Sequence, residues 1–401
     1  MYCRGNNLQE NTKKKILAIE LAILVVLSTV IVSINLDKLE NVFSQPEKDV
    51  SDISQDVYSN EDEILQSTNE NVIELIQQLD ESLILGYLEK ITSFGPHFSS
   101  SRTIEDVGDY IYSEFQSMGL NVRYQSWEAW VPFLKRPLIW HGRYNGKNIE
   151  ATLQGTDGNS DEIFVIFAHY DGWRRSPAAD DDGSGVAAVL AAAELMSKYE
   201  FNHTVRFVTL SGHEQGLLGS YYYAQEAVDN NDNIVAALCV DMIGYPGTSN
   251  EDNKVRVFEN EQSRWITDFT INISQRYSEF LDLEVIQVDD PTGHASDYLN
   301  FWDFGLNTVF YHEIVMSDNR HTPKDTIENM DVPYATKISK LITATLAEFA
   351  WSDQSEWPDP SLTSMPINQQ SVPGLQKRLE KFPILERILS SRSYFSRILR
   401  L

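Results

Sequence analysis

Cysteine is nearly absent from this chain of 401 residues, which contains only Cys3 and Cys239. Two cysteines do not make a disulfide framework, so the fold depends on a packed core. Apolar residues make up 42% of the chain, and Cys239 lies in the apolar run IVAALCVD, where we expect it to be buried. The length suits one large α/β domain with extensions, or two small domains.

Basic residues are also scarce. The chain has 32 lysines and arginines against 59 aspartates and glutamates, which gives a formal net charge of −27. This sign of charge argues against nucleic acid as a partner and says little about the fold. A solvated acidic surface explains the charge.

A long hydrophobic run occurs near the N-terminus. Residues 16–34, ILAIELAILVVLSTVIVSI, are apolar except for Glu20 and a few hydroxyl residues, and they are long enough to span a bilayer. Basic residues in the segment 1–15 precede the run and acidic sequence follows it, so the N-terminus is expected in the cytoplasm. A cleavable signal peptide is the alternative, but no A-x-A site follows. We expect an uncleaved signal anchor, a single-pass position in the cell membrane and an extracytoplasmic main domain.

The remaining chain divides into three predicted parts. Residues 35–68 are polar and acidic, which is typical of a stalk. Apolar residues at helical spacing then begin, and the folded domain is expected over residues 69–351. Residues 352–401 are first rich in proline and serine and then basic and amphipathic. This tail either lies on an anionic membrane surface or docks on the domain or a partner.

Strands and helices alternate from residue 163 onwards. Alternating βαβ units predict a largely parallel sheet with helices on both faces. Binding sites in such sheets form outside the carboxyl ends of the strands. The predicted strands are 163–168, 204–210, 234–240 and 307–311, and the predicted helices are 183–198, 216–228, 261–277 and 333–351.

The stretch SGHEQGLLGS follows one of these strands and contains the pair His213-Glu214. A zinc helix of the HExxH type needs a second histidine one turn later. Leu217 occupies that position, so the pair does not form this motif.

Charged or imidazole side chains follow each predicted strand of this region. Because the carboxyl ends of parallel strands meet at one edge, these side chains are expected to converge. Two like charges about 4 Å apart cost roughly 4 kcal/mol at an effective dielectric constant near 20, so a cation is needed to hold them together. Mixed aspartate, glutamate and histidine ligands suit zinc, and two metals bridged by a carboxylate need about five ligands. The sequence offers His169, Asp181, Glu214, Asp241 and His321.

The motifs HYDG, PAADDDGSGVAAVL, SGHEQGLLGS, VDMIGY and RHTPKDT occur in this order between about residues 81 and 350. Together they resemble the dinuclear zinc aminopeptidases of the bacterial leucyl-aminopeptidase type. That superfamily also includes glutamate carboxypeptidase II, the transferrin receptor and glutaminyl cyclase. The resemblance implies a three-layer α/β sandwich with a central mixed, mostly parallel sheet, and two Zn²⁺ ions as cofactors.

The resemblance also implies a role for each matched residue. Asp181 would bridge the two metals, with His169 and Asp241 completing one site and Glu214 and His321 the other. Asp171 would orient the first histidine from the second coordination sphere. Ser296-Asp297 resembles the family's Ser-Asp pair near the site, which gives Asp297 a second-sphere role, although Tyr298 stands where a histidine is common.

The implied function is that of a membrane-anchored metallo-exopeptidase, an aminopeptidase that hydrolyses peptide bonds with a water bridging two zinc ions. Its partners would be a peptide substrate and the membrane, reached through the N-terminal helix and, in one interpretation, the C-terminal tail. One departure from the family's sequence pattern bears on the mechanism. His213 occupies the position where the family has a glutamate that takes the proton from the attacking water.

A neutral imidazole becomes a cation when it accepts a proton, and neighbouring dications lower the pKa of such a group. His213 is therefore a weaker acceptor than glutamate, unless Asp297 or Glu313 lies close enough to offset the charge. Three hypotheses follow: an active aminopeptidase with His213 as base, a glutaminyl-cyclase-like acyltransferase, or a catalytically inactive zinc-binding homologue that acts as a binding module. The presence of all five ligand positions argues against the last.

Overall fold

The computed structural model describes residues 68–99, 101–131, 142–247, 251–289 and 296–352. Within these ranges, no helix combines the length and the hydropathy needed to cross a bilayer. The predicted anchor over residues 16–34, most of the predicted stalk and nearly all of the predicted tail lie outside the described residues.

The described strands are β1 Asn121–Val131, β2 Gly142–Leu153, β3 Glu162–His169, β4 Thr204–Leu210, β5 Asn233–Val240, β6 Lys254–Glu259, β7 Glu284–Asp289 and β8 Thr308–His312. They form one mixed sheet of eight strands in the order β1-β2-β4-β3-β5-β8-β6-β7. β3 pairs in parallel with β4 and β5, and β5 pairs in parallel with β8, so the predicted parallel centre is present. β1, β2 and β4 pair antiparallel, as do β6 and β8, while β6 and β7 pair in parallel.

The helices of the described ranges are α1 Glu70–Gln78, α2 Glu81–Ser93, α3 Thr103–Ser117, α4 Gly183–Met196, α5 Leu218–Asp229, α6 Arg264–Arg276, α7 Ser278–Leu281, α8 Tyr298–Asp303 and α9 Val332–Trp351. α5 begins two residues later than its predicted start at residue 216, because Leu217 has a left-handed backbone (φ 58°). Periodicity alone does not reveal such a residue, since non-glycine residues rarely adopt this conformation.

Helices cover both faces of the sheet. Successive side chains of a strand point to opposite faces, and every residue of β3 is buried. Phe164 and Ile166 belong to the larger of two apolar clusters, which includes α4 and α9, while Val165 and Phe167 belong to the smaller one, which includes α5 and α8. Each such side chain stabilises the fold by roughly 1.5–3 kcal/mol when it is fully buried. The predicted α/β architecture with a central mixed sheet is confirmed.

The central strands end at a common edge. The backbone N–H of Tyr170, just after β3, donates to the Leu210 carbonyl at the end of β4 at 2.8 Å. The N–H of Asp241, just after β5, donates to the Tyr311 carbonyl in β8 at 3.3 Å. The loops that leave these strands are therefore fastened side by side, and they carry the residues of the candidate site.

Candidate metal centre

The five residues expected to bind metal lie together at this edge. His169 is the last residue of β3, and Asp241 directly follows β5. Glu214 follows β4, Asp181 precedes α4, and His321 lies between β8 and α9. The carboxylates and His169 are nearly inaccessible to solvent, whereas 32% of the His321 side chain is exposed.

Asp181 faces two groups of ligands at once. Its Oδ1 lies 3.4 Å from Nε2 of His169, and that nitrogen is 3.7 Å from Oδ1 of Asp241. Its Oδ2 lies 3.0 Å from Nε2 of His321, which is in turn 3.1 Å from Oε1 of Glu214. One carboxylate thus joins the two pairs that the sequence predicts for two metal sites.

The donor geometry fits zinc. Zinc binds nitrogen and oxygen at about 2.0–2.2 Å, so two tetrahedral ligands stand roughly 3.3–3.6 Å apart. The distances from His169 to Asp181 and Asp241, 3.4 and 3.7 Å, are close to this range, and those from His321 to Asp181 and Glu214, 3.0 and 3.1 Å, are slightly shorter. In addition, no well-aligned hydrogen bond reaches the buried atoms His169 Nε2, Asp181 Oδ2 and Glu214 Oε1, although His321 Nε2 lies 3.0 and 3.1 Å from the two oxygens. Such an atom costs about 1–3 kcal/mol unless something satisfies it, and a shared cation would do so.

The charges of the site shift its protonation equilibria strongly. Burial lowers the pKa of His321, but the carboxylates of Asp181 and Glu214 more than offset it, and the pKa is raised to about 10. Burial also opposes the charged form of His169, yet Asp181 and Asp241 raise its pKa well above the usual value. These carboxylates therefore attract a positive charge, as a proton or as a metal ion.

Asp171 contacts His169 through its backbone rather than its side chain. Nδ1 of His169 donates to the Asp171 carbonyl at 2.8 Å, while the Asp171 carboxylate lies 3.8 Å from that nitrogen. The carboxylate instead accepts from the backbone N–H groups of His213 and Glu214 at 3.1 and 3.2 Å, and from Oγ of Ser99 at 2.7 Å. Asp171 therefore fixes both the His169 ring, which leaves Nε2 as the ligand atom, and the turn that carries His213 and Glu214.

The three consecutive aspartates have three different tasks. Asp182 caps α4 by accepting from the Gly185 N–H at 3.0 Å, and it also accepts from the backbone N–H groups of His169 and Met242. Asp180 accepts from the Gly244 N–H at 2.8 Å. Only Asp181 presents both carboxylate oxygens to the candidate ligands.

Sequence reasoning missed two neighbours that position the ligands. Asp325 accepts from the backbone N–H groups of Asp180 and Asp181 at 2.8 and 3.3 Å and so holds the bridging segment. Asp325 lies in the motif RHTPKDT with the candidate ligand His321, and this position could have indicated that it lies near the site. The Trp173 ring stacks on the His321 ring with centroids 4.6 Å apart. Only its position two residues after Asp171 could have suggested this contact.

His213 stands next to the metal ligands and is supported by Asp297. Its Nδ1 lies 2.9 Å from Oδ2 of Asp297, and its ring stacks on the His169 ring at 3.7 Å. One ring nitrogen of His213 lies within 4.8 Å of donor atoms of both His169 and Asp241. Burial and His169 lower the pKa of His213, but the negative charges of Asp297 and Asp241 together more than offset them, and the pKa is raised.

Of the two carboxylates considered as charge partners for His213, only Asp297 contacts it. Glu313 accepts from the backbone N–H groups of Tyr245 and Ser317, both at 2.7 Å.

Oγ of Ser296 donates to Oδ2 of Asp241 at 2.6 Å, which leaves Oδ1 facing His169. Tyr298, in the position where a histidine is common, is fully buried and stacks on Phe310.

Similarity to known proteins agrees with this geometry. Residues 148–346 match Peptidase family M28. "Leucine aminopeptidase 1" of Blastomyces gilchristii (strain SLH14081) is 28% identical over 308 residues, with 70% of this chain and 74% of the relative covered. A "Probable zinc metalloprotease" of Pyrenophora tritici-repentis (strain Pt-1C-BFP) is 24% identical over 337 residues, with 70% and 77% covered. The solved structure "Aminopeptidase from Aneurinibacillus sp. strain AM-1" has a TM-score of 0.60 and 16% identity, with 70% of this chain and 97% of that chain covered.

These matches define a metallopeptidase-type α/β domain. Residues 148–346 form a domain of peptidase family M28, a family of hydrolases. The predicted resemblance to zinc aminopeptidases is confirmed at the level of the family.

Proposed function

We propose that the protein is a zinc-dependent exopeptidase that removes amino-terminal residues from peptides. The observation that supports this most directly is the Asp181 carboxylate, which faces His169 and Asp241 with one side and Glu214 and His321 with the other. This donor set suits two zinc ions. Bound zinc would supply Lewis acidity, which polarises a substrate carbonyl and lowers the pKa of water.

Proton transfer is assigned to His213 in this proposal. With Nδ1 held by Asp297 at 2.9 Å, the ring keeps its Nε2 lone pair available as a proton acceptor. The negative charge of Asp297 stabilises the imidazolium that forms and so offsets the repulsion that the dications exert on it. His213 would accept a proton from the attacking water and later donate it to the leaving amine.

Substrate access is proposed on the His321 side. The His321 side chain is 32% exposed, whereas the side chains of Asp181 and Glu214 beside it are 4% exposed. Because the ligands of the other group are almost inaccessible, a peptide would meet the site next to His321 and the Trp173 ring stacked on it.

A first experiment uses the full-length protein loaded with zinc. We expect it to release p-nitroaniline from amino-acid p-nitroanilides, to cleave C-terminally amidated peptides, and to leave N-acetylated peptides intact. A chelator should stop turnover and added zinc should restore it. A protein that binds two zinc ions and shows no turnover would instead be a binding module, and cleavage of N-acetylated peptides from the other end would make it a carboxypeptidase.

Zinc affinity should fall as the pH decreases. Because the pKa of His321 is raised to about 10 and that of His169 is also raised, both rings carry a proton in the metal-free protein at neutral pH. Zinc must displace these protons, so each proton released lowers the affinity about tenfold per pH unit of acidification. Calorimetry in buffers of different ionisation enthalpy measures the number of protons released, and release of none at pH 7 would show that both rings are neutral in the metal-free protein.

Membrane attachment is part of the proposal and is supported by the sequence alone. Residues 16–34 would anchor the chain in the cell membrane, with the peptidase domain outside the cytoplasm. The protein should then resist extraction at high pH and high salt, and external protease should digest its domain in intact cells. Release of the full-length chain by carbonate would exclude the anchor.

A further inference from the structure

A cavity of about 560 Å³ lies beside the candidate metal centre and takes no part in the proposed chemistry. One wall is formed by the start of α3 and the loop before it, and the other by the end of β1 and the start of β2. Tyr170, which directly follows β3, and Ser211, which directly follows β4, also line the cavity.

The cavity adjoins the segment that carries His213 and Glu214. Ser99 lines the cavity, donates to the Asp171 carboxylate at 2.7 Å and accepts from the Gly212 N–H at 3.2 Å. Ser99 therefore links the cavity to the segment that carries His213 and Glu214, and an extended peptide chain spans about 3.3 Å per residue.

The α3 wall carries two carboxylates that form no ion pair with any of the described residues, although Arg143 and Lys147 line the same cavity. Glu105 and Asp109 stand one helical turn apart and both line the cavity. Among the described residues, Glu105 makes no side-chain hydrogen bond or ion pair, and Asp109 accepts only from the Tyr124 hydroxyl, at 2.8 Å. Like charges at this spacing repel each other, so a cation between them and the opposite wall would be stabilised.

The opposite wall contains the aromatic rings of Tyr124 and Trp127 together with two cations of the chain itself. The ammonium group of Lys147 lies 4.8 Å from the centre of the Tyr124 ring, and Arg143 pairs with Glu128 at 3.2 Å. A Cβ at Gly146 would come within 2.3 Å of the Trp127 ring, so glycine at this position lets Trp127 form part of the wall. Aromatic faces attract ammonium and guanidinium groups.

We propose that this cavity binds a basic side chain, lysine or arginine, of the peptide substrate, a few residues beyond the bond that is cleaved. This inference rests on the proposed peptidase function and adds a substrate class to it. A cationic side chain would lie between the carboxylates of Glu105 and Asp109 and the rings of the β1–β2 wall. The net charge of −27 would favour the approach of basic peptides to the protein.

The test compares zinc-loaded, full-length protein with two variants. Substrates are leucine-led pentapeptide amides with lysine, or the uncharged isostere norleucine, at one of positions two to five. Glu105→Gln should raise KM for the preferred lysine peptide about fivefold, leave kcat unchanged and leave the norleucine peptide unaffected. Asp109→Asn should act in the same direction. Asp106→Asn is the matched control, because Asp106 shares the first turn of α3 but does not line the cavity.

A binding measurement separates this inference from the proposed function. Calorimetry with the N-acetylated lysine peptide, which an aminopeptidase does not cleave, should show binding that Glu105→Gln weakens about fivefold and Asp106→Asn does not. If this pattern appears without any turnover, the cavity assignment stands and the peptidase proposal fails. Turnover without preference for lysine, or equal effects of the Glu105 and Asp106 variants, would overturn the cavity assignment.

Discussion

Replacing Asp181 with asparagine should remove zinc from both metal positions and reduce hydrolysis below detection. The aspartate has one oxygen 3.4 Å from His169 and the other 3.0 Å from His321, so its negative charge serves both ligand groups. Loss of an outer-sphere partner typically weakens metal binding by 10–100-fold. Loss of a bridging carboxylate removes a direct ligand from each site, and the decrease in affinity should exceed about 100-fold.

The neighbouring Asp182→Asn variant is the matched control. Asp182 accepts hydrogen bonds from Gly185, His169 and Met242 and faces no candidate ligand with a free oxygen. Its replacement should lower the free energy of unfolding by about 1–2 kcal/mol and leave two zinc ions bound. Atomic absorption gives the stoichiometry and urea denaturation the stability. An Asp181→Asn protein that keeps both ions would show that the bridge is assigned to the wrong residue.

The order of the motifs along the chain was sufficient to predict that the candidate ligands lie close together. His169, Glu214 and Asp241 each follow a strand, and parallel pairing of β3 with β4 and β5 brings the ends of these strands to one edge. This outcome depends only on strand direction, which the βαβ alternation predicts. The local sequence around each ligand is not needed for it.

The orientation of the same side chains could not be predicted, because it depends on loop conformations that sequence rules disfavour. Ala178, Leu217, Met242 and His321 all have φ between 56° and 60°, and each lies within four residues of a candidate ligand or is one itself. Non-glycine residues in this region are uncommon and concentrate at functional sites. The carboxylate of Asp171 was expected beside His169. Instead it accepts hydrogen bonds from the backbone N–H groups of His213 and Glu214, and loop conformation is again the reason that the sequence did not reveal this.

A mixed sheet was expected, but its antiparallel strands β1 and β2 were not among the strands predicted from the sequence. β1 and β2 pair over eleven positions at the edge of the sheet, from Asn121 with Thr152 to Val131 with Gly142. Their outer side chains are polar or aromatic, so no continuous apolar run marks them as the buried central strands are marked. The cavity next to α3 depends on this pair and was therefore invisible at the level of motifs.

Replacing His213 with alanine should lower kcat by about 10²- to 10⁴-fold while two zinc ions remain bound, because general base catalysis contributes an effect of this size. Zinc content distinguishes the two tasks that the geometry allows. His213 has a ring nitrogen within 4.8 Å of donor atoms of His169 and Asp241, so a variant that loses one zinc ion would identify it as a ligand instead of a base.

His213→Glu tests the same role by restoring the residue type that the family uses at this position. A carboxylate goes from anionic to neutral when it accepts the proton, so the dications do not oppose it as they oppose an imidazolium, and kcat should persist or rise. Asp297 complicates the single replacement, because it now lies 2.9 Å from the His213 ring and would face a second negative charge. Adding Asp297→Asn removes that repulsion, and we expect the double variant to be the more active of the two.

In the presence of the native histidine, by contrast, Asp297→Asn should lower kcat, since the imidazolium loses the charge that stabilises it. If Asp297→Asn has the same effect with glutamate at position 213 as with histidine, Asp297 acts on the fold of the loop and not on the proton acceptor.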